Sequence, residues 1–590
     1  LPGYEEGHLL IVPPGATYTG PSPSGLEELT KGAAFISPFA ETEAGSNNWV
    51  LAGSRTASGK PLIAGDPHRP LDTPNVYYQN HLSCPEFDVV GLSFPGVPGF
   101  PHFGHNARVA WCVTHAMADY QDLYIERFKE GDPGLYEFRG EWRQADVYQE
   151  TIKVRDGKPD QLQVTVTHHG PIILGDPSKG HGIAFRYTAT AEPMPAANAI
   201  HAMLRAGSVD EMEEAMRCWV DPVNNLLFAD LDGNIGYLTR GKLPIRSPAN
   251  AWLPVPGWTG EHEWQGMVPF EEMPRIRNPE DGYIITANNR VVDENYPHYI
   301  ALDYWPEFRA RRIWNHLLDI DKAHAQDMPS IHAENTSIPA QQLVRLLPSA
   351  NLSDPDAQAA GERLAEWDGR MDVDRMEPTI YSAFRDALAE RIAESTLGPL
   401  FREALKGEGQ GGPVWLRRFE ARLPRLIQKR DADLLPPGED WDSLMASALT
   451  DAVAQLRQRL GPDMDSWTWG RVHATRPKHT LSQSFPELAD LLDPPAVSIG
   501  GDGDTPLAAS YAPSDPYTVT TTSAARYVFD LGDWSNSGWV VPLGVSGNPG
   551  SPHYADQVST WAEVRLLSML YDWKRIAAES ESRQLLNPQT

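Results

Sequence analysis

The spacing of apolar residues changes twice along this chain of 590 residues. From Ser46 to about residue 310, short extended segments alternate with turns. Between about 312 and 465 the spacing becomes helical, with apolar side chains four residues apart at Ile380, Phe384, Leu388 and Ile392. After residue 466 the extended pattern returns. This order predicts one large α+β unit with a mainly helical insertion at about 312–465, rather than separate domains.

Local patterns make more specific predictions. In "QLQVTVTHHGPI" every second residue is apolar (Leu162, Val164 and Val166), which predicts a half-buried strand with these side chains on one face. "LLFADLDGNIGYL" predicts a hairpin around Asp232-Gly233. A second helical stripe starts at Trp441, and the helical block is interrupted by the loop "KGEGQGGP". "WAEVRLLSMLYDWKRI" predicts a helix near the end of the chain, and the turn-rich residues 1–45 predict a tail or linker.

Composition excludes several classes of protein. The formal charge is −29, and no basic stripe is present, so we expect no nucleic-acid partner. No run of 18 apolar residues occurs, so no membrane span is predicted, and the first residues lack the pattern of a signal peptide. Cysteine is limited to Cys84, Cys112 and Cys218, which excludes a disulfide framework but leaves one bridge open.

One candidate metal site is the segment "PHFGHNARVAWCVTHAM". It contains His102, His105, Cys112 and His115, and a metal-dependent amidase using the three histidines is one hypothesis for function. The spacing matches no standard zinc pattern, and the chain has neither HExxH nor paired CxxC motifs. Ordinary strand and loop histidines are therefore the favoured interpretation.

The segment "GSNNWV" at Gly45–Val50 offers a different chemistry. Gly-Ser-Asn is ordinary turn composition, but it also suits a chain that cuts itself before Ser46. Gly45 has no Cβ, so the Ser46 hydroxyl can approach its carbonyl closely. An N→O acyl shift and ester hydrolysis would free an α-amine on Ser46, whose pKa of about 7.7–8.0 allows it to act as general base for its own hydroxyl.

The same segment resembles the start of the catalytic β-chain of the penicillin acylase family of N-terminal-nucleophile hydrolases. Further segments with the look and order of that family follow: "AGDPHRPLDTPNVYYQNHL", "GVPGFPHFGHNARVAWCVTHAMADYQDLYIERF", "HHGPI", "DGNIGYLTRGKLPIR", "GYIITANNR", "WPEFRARRI", "IGGDGDTP" and "GVSGNPGSPHYADQ". The resemblance covers essentially all of 46–575. It implies the four-layer αββα sandwich of that superfamily, with largely antiparallel sheets.

The resemblance also implies catalytic roles. Ser46 would be the nucleophile, released by cleavage between Gly45 and Ser46, and His68 would lie beside its amine. The oxyanion hole would combine the backbone N–H of His115 with the side-chain amide of Asn288. Arg309 would orient Asn288 and the Ser46 amine.

Binding residues follow from the same resemblance. Arg69, Phe103 and Asn224 would line the acyl pocket, and Asp119 with Asp122 would hold a structural calcium; no cofactor is expected for the chemistry. Arg69 and Asn224 depart from the phenylacetyl-selective pocket of penicillin G acylase.

The implied protein is an acylase that hydrolyses the side-chain amide of an N-acylated small molecule, such as a β-lactam or an N-acyl-homoserine lactone. Residues 1–45 would hold the end of an α-chain and its spacer, and 46–590 the catalytic β-chain, the two forming a heterodimer in the periplasm or outside the cell. The family's α-chain is normally much longer than 45 residues. A non-catalytic binding protein on the same fold is the alternative from another class.

Overall fold

The computed structural model describes residues 45–587 with gaps at 98, 100, 194, 252–253, 303, 348–351, 399–400, 402–418, 431 and 513–514. The predicted tail or linker, apart from Gly45, and the loop "KGEGQGGP" lie outside the described residues. Within them, no helix is both long enough and apolar enough to cross a membrane. All three cysteines are free.

The described strands are numbered in chain order. The first group is β1 (Gly45–Leu51), β2 (Leu62–Pro70), β3 (Tyr78–Cys84), β4 (Phe87–Ser93), β5 (Phe103–His105), β6 (Val109–His115), β7 (Gln121–Lys129), β8 (Asp132–Phe138), β9 (Glu141–Gln144), β10 (Asp146–Ile152), β11 (Asp160–Thr167), β12 (Gly170–Asp176) and β13 (His181–Tyr187). The second group is β14 (Asn224–Asp230), β15 (Ile235–Arg240), β16 (Val255–Pro256), β17 (Arg275–Arg277), β18 (Tyr283–Thr286), β19 (Ala474–Thr475), β20 (Val497–Ser498), β21 (Ala509–Tyr511), β22 (Thr518–Ser523), β23 (Arg526–Asp530), β24 (Gly538–Val540) and β25 (Leu567–Ser568).

The described α-helices are numbered in the same way. They are α1 (Thr188–Ala191), α2 (Ala196–Arg205), α3 (Val209–Ala215), α4 (Phe308–Leu318), α5 (Met328–His332), α6 (Ile338–Val344), α7 (Pro355–Glu366), α8 (Glu377–Leu397), α9 (Leu423–Lys429), α10 (Trp441–Leu460), α11 (Trp469–Val472), α12 (Thr480–Ser484), α13 (Ala489–Leu492), α14 (Val558–Ala562) and α15 (Trp573–Glu579).

The described strands form three sheets, which are almost entirely antiparallel. The first sheet has the order β20-β19-β22-β2-β23-β24-β25, with β1 between β2 and β18 and with β21 on β22. The second has the order β17-β15-β14-β6-β5-β4-β3. The third has the order β10-β11-β12-β13-β7-β8-β9, with β16 on β7. The hairpin predicted around Asp232-Gly233 is confirmed, because β14 pairs with β15.

Strand β1 lies in the middle of the layered structure because successive side chains point to opposite faces of a sheet. Val50 points into the core shared with the second sheet. Trp49 and Leu51 point the other way and pack against helices α4 and α5. Helices α2 and α3 cover the far side of the second sheet. The layers therefore run helix, sheet, sheet, helix, which confirms the expected αββα fold.

A separate apolar cluster holds helices α6 to α11 together. The apolar stripes seen in the sequence form its centre, since Ile380, Phe384, Leu388 and Ile392 on α8 are buried against α10. Each such side chain contributes about 1.5–3 kcal/mol relative to an exposed position. Burial of these stripes explains why the region is helical although it lies between two extended regions.

Two local predictions are wrong in part. The strand predicted at "QLQVTVT" is present as β11, but Thr165 and Thr167 face the interior, while Leu162 is 49% exposed. The polar face of the strand is buried because the Thr167 hydroxyl donates a hydrogen bond to the buried Glu126 carboxylate at 2.6 Å. The C-terminal helix is interrupted between α14 and α15, because β25 pairs with β24 of the first sheet.

Candidate active site

Ser46 lies near the start of β1, where the strand pairs with β2. Gly45 is opposite His68 and Ser46 is opposite Pro67 on β2. Strand β18 pairs with the other edge of β1 from Asn48 onward. The Ser46 hydroxyl donates to the carbonyl oxygen of Gly45, so the hydroxyl already lies against the peptide unit that cleavage would break. A Cβ on Gly45 would come within 3.0 Å of His68 Nδ1 and 3.5 Å of Asn288 Oδ1. Glycine thus leaves the room that the surrounding polar groups need.

Asn288 follows the end of β18 and contacts Ser46 directly. Its Oδ1 accepts the Ser46 N–H at 2.7 Å, and its Nδ2 donates to the carbonyl of His115 at 2.9 Å. The Asn288 backbone has φ +64°, a left-handed conformation that asparagine tolerates better than most residues. An amide held by this backbone and by contacts at both ends has little freedom to rotate.

Arg309 reaches the same place from the first turn of α4. Its guanidinium donates to the Ser46 carbonyl at 2.8 Å, to Asn288 Oδ1 at 2.9 Å and to Asn47 Oδ1 at 2.7 Å. Burial lowers the pKa of Arg309 to about 10, so the group stays charged near neutral pH. The structure therefore brings Ser46, Asn288 and Arg309 together, as the family resemblance implied.

His68 lies on β2 with Asp66, two residues earlier on the same face. His68 Nε2 is 3.0 Å from Asp66 Oδ2. Burial lowers the pKa of the His68 imidazole, and Asp66 offsets this only in part. Burial also opposes ionisation of Asp66, yet its interaction with His68, including the hydrogen bond, and the hydrogen bond from Ser523 outweigh burial and keep the pKa of the carboxyl below its ordinary value. A neutral imidazole beside an anionic carboxylate results.

The hydrogen-bond network assigns the tautomer of that imidazole. The Asn47 amide uses its two hydrogens on Asp66 Oδ1 at 3.0 Å and on the Pro506 carbonyl at 2.9 Å. Asn47 Nδ2 also lies 3.2 Å from His68 Nε2, but the anionic Asp66 Oδ2 at 3.0 Å can only accept a hydrogen bond. His68 Nε2 therefore carries the proton and donates it to Asp66. The lone pair is on Nδ1, which faces Gly45.

Sequence reasoning missed Asp66, Asn47 and Ser523 as parts of this network. The Ser523 hydroxyl donates to Asp66 Oδ2, and Asn47 bridges Asp66 to the segment "IGGDGDTP". One signal was available: Asp66 and His68 stand two residues apart in "DPH", so on a strand they share a face. The contacts of Ser523 and Pro506 depend on chain segments far away in sequence.

The predicted pocket residues line a narrow cleft beside Ser46. Its lining is Gly45, Ser46, Pro67, Arg69, Tyr77, His102, Phe103, Val113, Thr114, His115 and Asn224. Arg69 donates to the Tyr77 hydroxyl at 3.2 Å, and Asn224 Oδ1 accepts from the buried Arg240 at 3.1 Å. The cleft holds about 20 Å³, close to the space of one water molecule. For an acyl chain to enter the cleft, these side chains or Gly45 must move.

The expected calcium ligands are already paired with a protein cation. Arg246, whose side chain is fully buried, lies 2.9 Å from Asp119 Oδ1 and 3.2 Å from Asp122 Oδ2. Asp122 also accepts from Asn250 and Trp264. As arranged, this set does not fit an ion held by both carboxylates, because the guanidinium occupies the place between them. Structural calcium stays a prediction.

The three histidines of the alternative metal site do not converge. His105 stacks on Trp534 with ring centroids 3.8 Å apart, and burial lowers its pKa to about 3. His115 Nδ1 accepts the backbone N–H of Met117, and His102 packs on Phe103. Among the described residues, the group of possible metal ligands is elsewhere, at His168, His169 and Glu263.

Comparison with known proteins identifies the family. The penicillin amidase family model matches residues 7–578. The chain belongs to the penicillin amidase family. It is therefore an acylase-type hydrolase that cleaves linear amide C–N bonds.

Individual relatives agree with this placement. Penicillin acylase 2 proenzyme of Pseudomonas sp. (strain SE83) is 41% identical over 550 residues, covering 92% of this chain and 69% of the relative. An acyl-homoserine lactone acylase of Pseudomonas aeruginosa is 29% identical over 602 residues, covering 93% of this chain and 69% of the relative. The thermostable penicillin G acylase from Alcaligenes faecalis has a similar fold, with a TM-score of 0.68 at 21% identity, covering 92% of this chain and all of that one.

Proposed function

We propose that this penicillin amidase family member cuts itself between Gly45 and Ser46 and then hydrolyses N-acyl amides through an acyl-Ser46 intermediate. One observation carries the proposal: the Ser46 hydroxyl, the Gly45 carbonyl, the Asn288 amide and the Arg309 guanidinium meet at one buried point. The word proenzyme in the name of the Pseudomonas relative agrees with a processed chain.

Self-cleavage needs the groups that meet at this point and one water molecule. The Ser46 hydroxyl attacks the Gly45 carbonyl carbon, and the hydroxyl proton passes to the Ser46 nitrogen as the C–N bond breaks. Gly45 is left as an ester on Oγ, and Ser46 has a free amine. Water then hydrolyses the ester and releases the Gly45 carboxylate. Asn288 Oδ1 holds the Ser46 nitrogen throughout, since it already accepts the N–H in the uncut chain at 2.7 Å.

Amide hydrolysis repeats this chemistry on a substrate. The acyl carbonyl takes the place that Gly45 leaves, the neutral Ser46 amine accepts the hydroxyl proton through a water, and the leaving amine departs with a proton. The Asn288 amide and the His115 backbone N–H are the proposed donors to the oxyanion. His68 Nδ1, next to the vacated Gly45 position, would contact the bound acyl group rather than act as the base.

The proposed substrates are N-acylated small molecules, of which β-lactams and N-acyl-homoserine lactones are the two kinds suggested by the names of the relatives. Arg69, Phe103 and Asn224 are the proposed acyl-pocket residues. The partner is the chain's own α-chain, which residues 1–45 would end, with 46–590 as the β-chain. We propose a periplasmic or secreted location. A pure binding protein on this fold would have no need of Ser46, Asn288 and Arg309 together.

Blocking the α-amine of Ser46 in the cleaved protein is expected to abolish amide hydrolysis. In the free enzyme, kcat/KM should fall as pH drops through the amine pKa, because only the neutral amine accepts a proton. That pKa starts from about 7.7–8.0 and is lowered by the nearby Arg309 charge. Acetylation at mildly acidic pH favours the α-amine over lysines, and mass spectrometry of the N-terminal peptide gives the blocked fraction.

His68→Gln is the matched variant for this experiment. If His68 were the base, the fall of kcat/KM on the acid side would follow the His68 pKa and would persist after acetylation. Because burial lowers that pKa, the fall would lie below pH ~6.5. We expect His68→Gln to retain the amine-dependent limb. Activity that persists after complete acetylation would instead make His68 the base.

Replacing Asp122 by alanine is expected to destabilise the folded protein far more than it changes turnover. Arg246 would remain buried without one of its two carboxylates, and breaking a buried ion pair costs about 3–5 kcal/mol. Thermal and urea unfolding of the cleaved protein measure the loss, and Asp132→Ala, which removes an exposed carboxylate on β8, is the control. A stability equal to that of the control would contradict the role of the ion pair.

The ion pairs of Arg246 with Asp119 and Asp122 also predict how the protein responds to calcium removal. Since Arg246 supplies the positive charge between the carboxylates, the chelator EGTA is expected to leave the melting temperature unchanged. A melting temperature that falls with EGTA and recovers with Ca²⁺, but not in Asp122→Ala, would support the calcium site instead.

A further inference from the structure

The third sheet carries a cluster of nitrogen and oxygen ligands that the proposed acylase chemistry does not use. His168 and His169 form the turn between β11 and β12, and Glu263 comes from the segment after β16. One ligand atom from each of the three residues lies within 4.8 Å of the others. We propose that His168, His169 and Glu263 bind a zinc ion.

The distances suit that ion. His169 Nε2 is 2.7 Å and His168 Nε2 is 3.5 Å from Glu263 Oε1. Ligand atoms of a tetrahedral zinc site, with bonds of about 2.0–2.2 Å, lie about 3.3 Å apart. Zinc can therefore be accommodated if His169 Nε2 and Glu263 Oε1 move apart by about 0.6 Å. Two imidazoles and one carboxylate are a common set for zinc with a fourth position left to water.

The outer contacts orient the ligands. His169 Nδ1 is 2.8 Å from Oε1 of Glu126, a fully buried carboxylate, which leaves Nε2 directed at Glu263. Tyr124 stacks on the His169 ring at 3.8 Å with an angle of 7°. The Tyr136 hydroxyl is 3.0 Å from His168 Nδ1. A carboxylate on the far nitrogen of a histidine is the usual support of a zinc ligand, because it fixes the tautomer and raises basicity.

The competing arrangement is a proton shared between His169 and Glu263. Zinc must displace that proton, so binding releases it. The other Glu263 oxygen is 3.5 Å from the Arg186 guanidinium, which opposes a second cation, but Glu126 adds a buried negative charge on the opposite side. The two glutamates together carry one more negative charge than Arg186 offsets. This remaining charge partly compensates the charge of the zinc ion.

The cluster is accessible from one side. The side chains of His168 and Glu263 are 26% and 23% exposed, whereas that of His169 is buried. Zinc would tie the β11–β12 turn to the segment around Glu263, within the third sheet and its connections. Because Ser46 lies in the first sheet, the ion would stabilise the protein without entering amide hydrolysis.

Titration of tag-free, chelator-treated protein with Zn²⁺ tests the proposal. We expect one saturable site by calorimetry, a higher melting temperature with Zn²⁺, and visible absorption typical of tetrahedral Co²⁺ when Co²⁺ is the probe. His168→Gln and Glu263→Gln should each weaken zinc binding by at least about 100-fold, and Glu126→Gln by about 10–100-fold. His181→Ala, which removes an exposed histidine of β13, should bind as the wild type does.

Three results would overturn the proposal. The first is no saturable Zn²⁺ binding by wild-type protein. The second is unchanged affinity in both His168→Gln and Glu263→Gln, with circular dichroism showing that they fold. The third is an equal loss in His181→Ala, which would assign the binding to scattered surface histidines. Acylase activity is read separately and should not change with Zn²⁺ removal.

Discussion

Ser46→Ala is expected to remain one uncut chain and to lose amide hydrolysis by on the order of 10⁶-fold, the scale seen when a serine hydrolase loses its nucleophile. The substitution removes the Oγ that lies against the Gly45 carbonyl, while the backbone N–H that Asn288 accepts is kept. Gel electrophoresis and mass spectrometry follow cleavage, and release of the amine product follows hydrolysis.

Ser54→Ala is the control for that variant. Ser54 is an exposed serine in the turn after β1, so its loss should change neither cleavage nor turnover. Cleavage of Ser46→Ala at the normal rate would exclude Ser46 as the agent of maturation. Hydrolysis by an uncut Ser46→Ala chain would exclude it as the nucleophile of the acylase reaction.

Asn288→Ala in confirmed cleaved protein is expected to lower kcat and kcat/KM together by about 10²–10³-fold, or about 2.7–4 kcal/mol, with product affinity nearly unchanged. The amide matters little to a neutral carbonyl but strongly to the charged oxygen of the tetrahedral state. One Asn288 N–H binds the His115 carbonyl at 2.9 Å, and the second hydrogen is the donor assigned to the oxyanion.

Asn288→Asp separates the two functions of this side chain. It keeps an oxygen that can accept from the Ser46 nitrogen and from Arg309, but it removes the N–H donor. We expect Asn288→Asp to lose kcat about as much as the alanine variant. A near-normal kcat with a raised KM in either variant would make Asn288 a substrate-binding residue and move the oxyanion site elsewhere.

Regular elements were the most predictable part of the fold. The stripe from Ile380 to Ile392 predicts a helix because its period matches one buried face, and α8 has that face. The orientation of the strand at Leu162 was harder to predict, because the face of this strand that is buried is the polar one. Thr167 is buried because it bonds Glu126, a contact between distant segments that apolar spacing does not encode.

The candidate site shows the same limit. Ser46, Asn288 and Arg309 could be named because their short motifs resemble those of the penicillin acylase family, and the structure places the three residues in contact. The residues that hold the site in place could not be named, because their contacts form only once distant strands and loops have assembled. Asn47 binds Pro506 in this way. Arg246 likewise lies between Asp119 and Asp122. A pair of aspartates three residues apart suggests a cation, but the pattern does not say whether the cation is a metal ion or an arginine.

N-terminal sequencing of the mature protein tests the central claim most directly. If Ser46 cuts the chain and becomes the catalytic residue, the active protein contains a fragment beginning Ser-Asn-Asn-Trp-Val, with a free amine on Ser46. Mass spectrometry of the intact subunits should show no acetyl or other block on that amine. A fully active protein in which the Gly45–Ser46 bond is intact would contradict the account.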